Sequence, residues 1–188
     1  VPENGTNFDV IVVGGGPGGS AAASYHSMNG QKVLLLEKEI WPRDKICGDA
    51  VGGKSLRHVK ELGVKTMIEA TPHFRVDSIL MSSSNGTEVK IELPKEAFEK
   101  MEAGYSLPRI QFDYMMFKRA TEILHENGGY VMQGFSVTDV KIETEGSVQK
   151  IIGIGGKTKD EESMTFSAPL TIGAGGYNCP VAKTITET

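Results

Sequence analysis

The sequence is poor in cysteine and histidine and has no excess of basic charge. Its two cysteines, Cys47 and Cys179, stand far apart among 188 residues, so we expect two free thiols and no structural disulfide. The four histidines show no metal-binding spacing, so no metal is expected. A formal net charge of -4 without a basic stripe excludes nucleic acid as the main partner.

Long apolar runs are also missing. No stretch of about 18 apolar residues occurs, which excludes a membrane-spanning helix. The first residues carry neither the basic nor the apolar region of a signal peptide. The hydrophobic share of 39% is nevertheless that of a globular chain. We therefore expect a cytoplasmic protein with a real core.

Glycine, by contrast, is plentiful, and its first cluster lies inside a recognisable unit. Asp9–Val13 is typical of a buried parallel strand, an alanine-rich helix runs through Met28, and Lys32–Leu36 is typical of a second buried strand. Strand, glycine loop, helix and strand within about thirty residues make a βαβ unit.

In the later part of the chain the spacing of apolar residues changes, and the new spacing predicts antiparallel strands. Asn85-Gly86 is a strong hairpin signal between two strand-like runs. The fold class is therefore α/β, a Rossmann-like domain with a parallel sheet plus an antiparallel insertion. Further elements are expected at 54–62 (helix), 76–81 and 89–93 (hairpin), 111–127 (amphipathic helix), 130–132 (strand), 137–143 and 148–154 (antiparallel pair) and 164–172 (a last strand).

The glycine loop fits the G-x-G-x-x-G pattern of dinucleotide binding. Gly14 makes the tight turn, Gly16 lets a diphosphate approach the backbone, and Gly19 allows close packing of helix on strand. Pro17 suits the first helical turn, whose free N–H groups point at the phosphates. Glu37 follows the second strand at the distance expected of an acid that binds the adenosine ribose.

Three further segments carry a resemblance to a known family. They are Arg43–Ala50 with its Cys-Gly-Asp element, Leu107–Asp113 with an R-x-x-F-D pattern, and the glycine-containing stretch Leu170–Lys183. Together with the first glycine loop they resemble the geranylgeranyl reductase family, flavoproteins of the p-hydroxybenzoate hydroxylase fold group. The third segment departs from the group's pattern, because Gly175 stands where Asp is usual.

The resemblance implies FAD as cofactor and a division of the chain. Residues 1–72 and 104–188 would form a discontinuous FAD-binding domain, and 73–103 an antiparallel hairpin of the substrate-binding subdomain. Arg109 would lie beside the diphosphate or ribityl chain, backbone near Val137 would meet the adenine, and the Cys47–Ala50 turn would pass close to the flavin. The expected cofactor-binding residues are Gly14, Gly16, Pro17, Gly18, Gly19, Glu37, Lys38, Cys47, Gly48, Ala50, Arg109 and Val137.

The implied activity is the saturation of carbon–carbon double bonds in an isoprenoid lipid. Cys47 is the candidate catalytic residue, acting on substrate placement or proton delivery; the alternative is a small buried thiol that fits the turn. Asp49 is expected either to orient the turn or to cap the helix that follows it, with capping favoured. Ile79, Met81, Val89 and Ile91 form either a wall of the substrate tunnel or an ordinary sheet core.

Two other functions stay open. One is a flavin-dependent monooxygenase or halogenase of the same fold. The other is a non-catalytic FAD-binding module, since the family's later Gly-Asp motif is missing and the chain is expected to be a fragment or a truncated product. The expected partners are a small-molecule or prenyl-lipid substrate and a reductant such as NAD(P)H or ferredoxin, with peripheral membrane contact; oligomeric state is not predicted.

Overall fold

The computed structural model describes residues 1–93, 96 and 104–186. The chain divides into two compact units. The first unit comprises Val1–Arg43 and Met116–Thr188, and the second comprises Asp44–Met115. The assignment of 73–103 to a substrate-binding subdomain stays a prediction, and of that segment residues 94–95 and 97–103 lie outside the described residues.

A four-stranded parallel sheet forms the centre of the first unit. Its strands are β1 (Val10–Val13), β2 (Val33–Glu37), β8 (Tyr130–Gln133) and β12 (Leu170–Gly173), in the order β12-β1-β2-β8. Strand β1 pairs with β2 and with β12 in parallel. Every residue of β1 and β2 is buried, as expected of central strands covered on both faces.

Side chains of β1 and β2 alternate between two hydrophobic clusters, because successive residues of a strand point to opposite faces. Ile11 and Leu34 belong to the cluster on one face, and Val12 and Leu35 to the cluster on the other. The second cluster includes Ala23 of the first helix, α1 (Pro17–Met28). Burying each such aliphatic side chain contributes about 1.5–3 kcal/mol.

A three-stranded antiparallel sheet completes the first unit. Strands β9 (Ser136–Glu145), β10 (Val148–Lys157) and β11 (Ser163–Ser167) lie in the order β11-β10-β9. The predicted pairing of β9 with β10 is confirmed. The single last strand expected over 164–172 is wrong, since β11 joins this sheet and β12 joins the parallel one. A short helix, α5 (Pro180–Thr186), follows.

The second unit has short strands, and its described residues include the short helices α2 (Ser55–Glu61) and α3 (Val64–Glu69). These helices are joined at Gly63, whose φ of 77° explains why the first of them ends there. The strands β3 (Ala50–Val51), β7 (Tyr105–Ser106) and β4 (Phe74–Arg75) form one sheet in that order. Strands β5 (Ser78–Ser82) and β6 (Glu88–Glu92) form the predicted hairpin.

The hairpin exposes its apolar side chains. Ile79 pairs with Ile91 and Met81 with Val89, and all four are about half exposed. The expectation of an ordinary sheet core at these residues is therefore wrong, while their role as a substrate wall stays a prediction.

The longest helix, α4 (Arg109–Glu126), contributes its residues up to Met115 to the second unit and the remainder to the first. Within the parts of the chain that the structure describes, no helix is both long and apolar enough to cross a bilayer. The combination of a parallel sheet, flanking helices and antiparallel sheets confirms the predicted α/β class.

Candidate functional site

The loop between β1 and α1 leaves no room for side chains at two of its glycines. A Cβ on Gly19 would overlap the carbonyl oxygen of Gly14, and one on Gly14 would overlap the backbone of Ala174. Gly14 also has a φ of 112°, which side-chain-bearing residues rarely adopt. The Ala174 N–H donates to the carbonyl of Val13 at 2.7 Å, so the segment after β12 closes directly on this turn.

The start of α1 presents unoccupied backbone donors. Gly16 is the N-cap residue, no side chain caps the helix, and no acidic residue lies in the first turn. Pro17 follows at the first helical position, where its missing N–H costs nothing. Among the described residues outside this helical turn, nothing lies within 4 Å of the position a Cβ would take on Gly18. This edge is therefore open, carries free amides and bears the positive end of the helix dipole, which suits an anion.

Glu37 at the end of β2 ties that strand to the glycine loop. Its carboxylate accepts the Gly15 N–H at 2.9 Å through Oε2 and the Glu39 N–H at 3.0 Å through Oε1. Glu37 is 4% exposed. Oε2 also lies 3.5 Å from Nη2 of Arg43. Glu37 orders the loop, and its expected bond to ribose stays a prediction.

Arg43 lies beside the same loop. Its Nη2 atom is 3.5 Å from Glu37 Oε2 and 3.6 Å from the position of a Cβ on Gly16. The guanidinium carbon lies 4.4 Å from the ring centroid of Trp41, which in turn stacks on Phe117 at 5.1 Å. Sequence reasoning favoured an exposed loop charge here, and the side chain is instead only 17% exposed.

Two other predicted cofactor-binding residues, Lys38 and Val137, also lie in the first unit. Lys38 is exposed, and its Nζ atom lies 3.7 Å from Glu39 Oε1. Val137 lies on β9, paired with Gly156, and packs partly buried against the hydrophobic cluster of the first unit. The structure thus brings Gly14 to Gly19 and Glu37 together. The cofactor contacts of Lys38 and Val137 stay predictions.

In the second unit, the Cys47–Ala50 turn is attached to the start of α4. Asp49 Oδ1 accepts the Arg109 N–H at 3.1 Å, and its carbonyl accepts the Leu107 N–H at 3.1 Å. Asp49 therefore caps α4 and not the helix that follows it in sequence, which corrects the expectation. Cys47 is exposed, so the alternative of a buried thiol is wrong. Gly48 and Ala50 are exposed as well.

Arg109 is fixed by a buried carboxylate one helical turn away. Its Nε and Nη2 atoms lie 2.7 and 2.6 Å from Asp113 Oδ1. Burial alone would lower the pKa of Arg109, but the hydrogen bond and charge of Asp113, with a smaller contribution from Cys47, raise it. The guanidinium therefore stays charged next to the Cys47 turn. Asp113 is 1% exposed.

A cavity of about 460 Å³ also opens in the second unit beside Asp49. Its walls are mostly apolar, and His73 and Gln111 supply polar groups. The His73 ring packs edge-on against Tyr105, and its Nδ1 lies 2.8 Å from the Thr71 carbonyl oxygen. No group of three or more His, Cys, Asp or Glu side chains within the described ranges could hold a metal ion.

Sequence reasoning missed two residues that support these loops. Asp113 appeared only as a letter of a pattern. Gln133, whose Oε1 accepts the Trp41 N–H at 2.7 Å, gave no signal. The i, i+4 spacing of Arg109 and Asp113 on a predicted helix is the one clue that the sequence offered.

Comparison with known proteins identifies the ligand that fits the first loop. A family model described as "FAD binding domain" matches residues 7–188. The chain is 30% identical over 153 residues to a menaquinone reductase of Mycolicibacterium smegmatis, covering 81% of this chain and 35% of that protein. It is 32% identical over 188 residues to digeranylgeranylglycerophospholipid reductase 1 of Methanothermobacter thermautotrophicus, covering 95% and 41%.

Similarity also extends to oxygenating and halogenating proteins. Squalene monooxygenase SE1 of Panax ginseng is 30% identical over 172 residues, covering 91% of this chain and 30% of its own length. The halogenase CndH has a TM-score of 0.79 at 24% identity over 93% of this chain and 38% of its own, a likeness that shows the fold. The chain thus spans about a third of the length of the menaquinone reductase it matches.

The residues present fit FAD. The open amides at Gly16 and Gly18 and the missing side-chain cap suit a diphosphate, and Gly14 and Gly19 have no space for a Cβ. The expected cofactor is confirmed as FAD, because the family model that matches the chain is an FAD binding domain.

Proposed function

The chain belongs to the FAD binding domain family, and on that premise we propose that it forms the FAD-binding part of a reductase that saturates carbon–carbon double bonds of an isoprenoid lipid. The observation that carries this proposal is the 32% identity to digeranylgeranylglycerophospholipid reductase 1 across 95% of the chain. The Cys47–Ala50 turn, which resembles the reductase element, supports it.

Bound FAD, once reduced, would supply the electron pair for the reaction. The protein's part is to hold the cofactor and to position the alkene. The amides of Gly16 and Gly18 would bind the diphosphate, and Glu37 keeps their loop in place through the Gly15 N–H. Arg109, held by Asp113, would keep the Cys47 turn beside the flavin.

An isoprenoid chain needs an apolar surface. The hairpin offers one, since Ile79, Met81, Val89 and Ile91 are paired across β5 and β6 and exposed. Removing such area from water stabilises a bound hydrocarbon by about 25 cal/mol per Å². In this proposal residues 1–72 and 104–188 bind FAD and the hairpin within 73–103 belongs to the substrate-binding subdomain. NAD(P)H or ferredoxin would be the reductant, in the cytoplasm with peripheral membrane contact.

The test is the product formed by the FAD-loaded protein. After reduction with dithionite it should convert a geranylgeranyl lipid into a product heavier by two hydrogens per double bond, as read by mass spectrometry. Cys47→Ala should lower the rate by about tenfold or more if Cys47 positions the alkene or delivers a proton. Ile46→Ala, a change at the fully exposed neighbouring residue, is the matched control. An unchanged rate in Cys47→Ala would remove Cys47 from the proposal.

A second candidate is a flavin-dependent monooxygenase or halogenase. Its support is the 30% identity to squalene monooxygenase SE1 over 91% of the chain. This candidate predicts that the reduced protein with oxygen adds one oxygen atom, or with halide one halogen atom, to its substrate. Such a product, without the two added hydrogens, would overturn the reductase. A non-catalytic module would bind FAD and yield neither product.

A further inference from the structure

The guanidinium of Arg43 points at the glycine loop. Its Nη2 atom lies 3.6 Å from the position of a Cβ on Gly16. Gly16 is the N-cap of α1 and is left without a side-chain cap. A permanent cation therefore lies at the backbone amides that suit an anion, and it is 17% exposed.

An aromatic platform fixes the guanidinium in this place. Arg43 lies over the Trp41 ring at 4.4 Å, and Trp41 stacks on Phe117 with an interplanar angle of 21°. The Phe117 ring itself packs against Gly15, where a Cβ would come within 2.9 Å of it. Stacked guanidinium groups lose little freedom when they form hydrogen bonds. Arg43 is thus connected to the glycine loop through Trp41 and Phe117, because the Phe117 ring packs against Gly15.

Arg43 also has donors to spare. Glu37 takes up one edge of the guanidinium at 3.5 Å, whereas Nε is buried and has no hydrogen-bond partner among the described residues. A guanidinium carries five N–H donors. The nitrogen next to Gly16 is Nη2, so a ligand that supplies acceptors there would bind the guanidinium through this edge.

We infer that Arg43 binds the diphosphate of FAD, together with the amides at the start of α1. The diphosphate carries two negative charges, and the Glu37 carboxylate that orders the loop adds a third close by. Arg43 faces both and offsets their repulsion. This inference rests on FAD as the cofactor and is independent of which reaction the protein performs.

Binding of ADP tests it, because ADP contains the diphosphate and the adenosine and lacks the flavin. Arg43→Gln should weaken binding of ADP and of FAD alike by about tenfold to a hundredfold, the effect of losing charge-assisted hydrogen bonds. It should also flatten the dependence of the ADP dissociation constant on salt, since one cation fewer is screened. Lys150→Ala, which removes one positive charge from the exposed end of β10, is the control and should change neither.

Urea unfolding of the ligand-free protein separates binding from folding. Arg43→Gln with unchanged ADP affinity and lowered stability would show that Arg43 only supports Trp41 and Glu37, and would overturn the inference. Should that variant not fold, Arg43→Lys decides: it keeps the charge and loses the planar fork, and we expect roughly threefold to tenfold weaker ADP binding. Affinity equal to that of the unaltered protein would then overturn it. Reaction products play no part in either measurement.

Discussion

The glycine loop of the first unit and the Cys47–Ala50 turn of the second unit are fixed by different forces. The glycine loop is set by backbone packing, with Gly14 against Ala174 and Gly19 against Gly14. The Cys47 turn is held through Asp49, whose side chain accepts the N–H of Arg109, sixty residues away in sequence, and whose carbonyl accepts the N–H of Leu107. The glycine loop thus depends on the absence of Cβ atoms at two positions, and the Cys47 turn depends on long-range hydrogen bonds.

This difference decides what each loop tolerates. The glycine loop should fail when a single methyl group is added at a closed position, Gly14 or Gly19. The Cys47 turn has no such steric limit at Gly48, since no described residue beyond its chain neighbours lies within 4 Å of a Cβ there. It should fail when the charges that hold Arg109 are removed.

The largest effect is expected at Gly19. In Gly19→Ala the new methyl group would overlap the carbonyl oxygen of Gly14, a backbone atom that cannot move aside freely. We expect the free energy of unfolding to fall by about 3 kcal/mol or more, with loss of FAD binding. Urea unfolding followed by circular dichroism and titration with FAD measures the two effects.

Gly18→Ala is the matched control, one residue earlier on the same helix. Its Cβ meets nothing within 4 Å, and alanine favours helix over glycine by about 0.5–1 kcal/mol. Stability without ligand should therefore hold or rise, whereas FAD binding should weaken because the methyl group enters the open edge. Equal loss of stability in both variants would contradict the steric account of the loop.

The same contrast explains what could be predicted from the sequence. Gly14, Gly16, Gly19 and Glu37 could be proposed from the sequence because local backbone geometry demands those residue types at fixed spacing. The buried strands β1 and β2 were found because continuous apolar runs are typical of central parallel strands. Both signals lie within about thirty consecutive residues, so no long-range information was required.

The contacts of Asp49 and Trp41 could not be found that way. Asp49 caps a helix that begins at Arg109, and capping patterns identify a donor only when cap and helix are adjacent in sequence. Trp41 is fixed by Phe117 and Gln133, contacts that exist only after β8 joins the sheet. The division of 164–172 between two sheets was missed for the same reason.

The second largest effect is expected at Asp113. Asp113→Ala removes the main acceptor of the Arg109 guanidinium, a side chain that is only 15% exposed. We expect the free energy of unfolding to fall by about 2–3 kcal/mol. The Cys47–Ala50 turn should then exchange its amide hydrogens faster, because the guanidinium of Arg109, which interacts with Cys47, is no longer held in place. Urea unfolding and hydrogen exchange measured by mass spectrometry check both parts.

Glu122→Ala on the same helix provides the control. Glu122 pairs with Arg119 at 3.0 Å, but both side chains are substantially exposed, and such surface pairs contribute about 0–1 kcal/mol. Hydrogen exchange at residues 47–50 should stay unchanged. Faster exchange at residues 47–50 in Glu122→Ala, or an unchanged exchange rate there in Asp113→Ala, would show that the Arg109–Asp113 pair does not support the turn.

The smallest effect is the loss of stability that we expect at low pH. Burial alone would raise the pKa of Glu69, but a hydrogen bond from Tyr105 and the charges of Lys65 and Arg75 together lower it below the usual 4.5. Above pH 4.5 the carboxylate is ionised in both states and its contacts stabilise the fold. As the pH falls below 4.5 the unfolded chain takes up the proton first, so stability is lost. The loss stays under about 1 kcal/mol because Glu69 is 35% exposed.

Hydrogen exchange at the β4 and β7 amides as a function of pH localises this loss to the second unit. Protection there should fall below pH 4.5, and Glu69→Gln should remove most of that pH dependence while Glu88→Gln, on the exposed strand β6, should not. Protection at β1 and β2 should change less, because apolar burial sets the stability of those strands. Equal acid sensitivity in both units would mean that charged side chains hold the parallel sheet too, and the contrast between the two loops would then lose its physical basis.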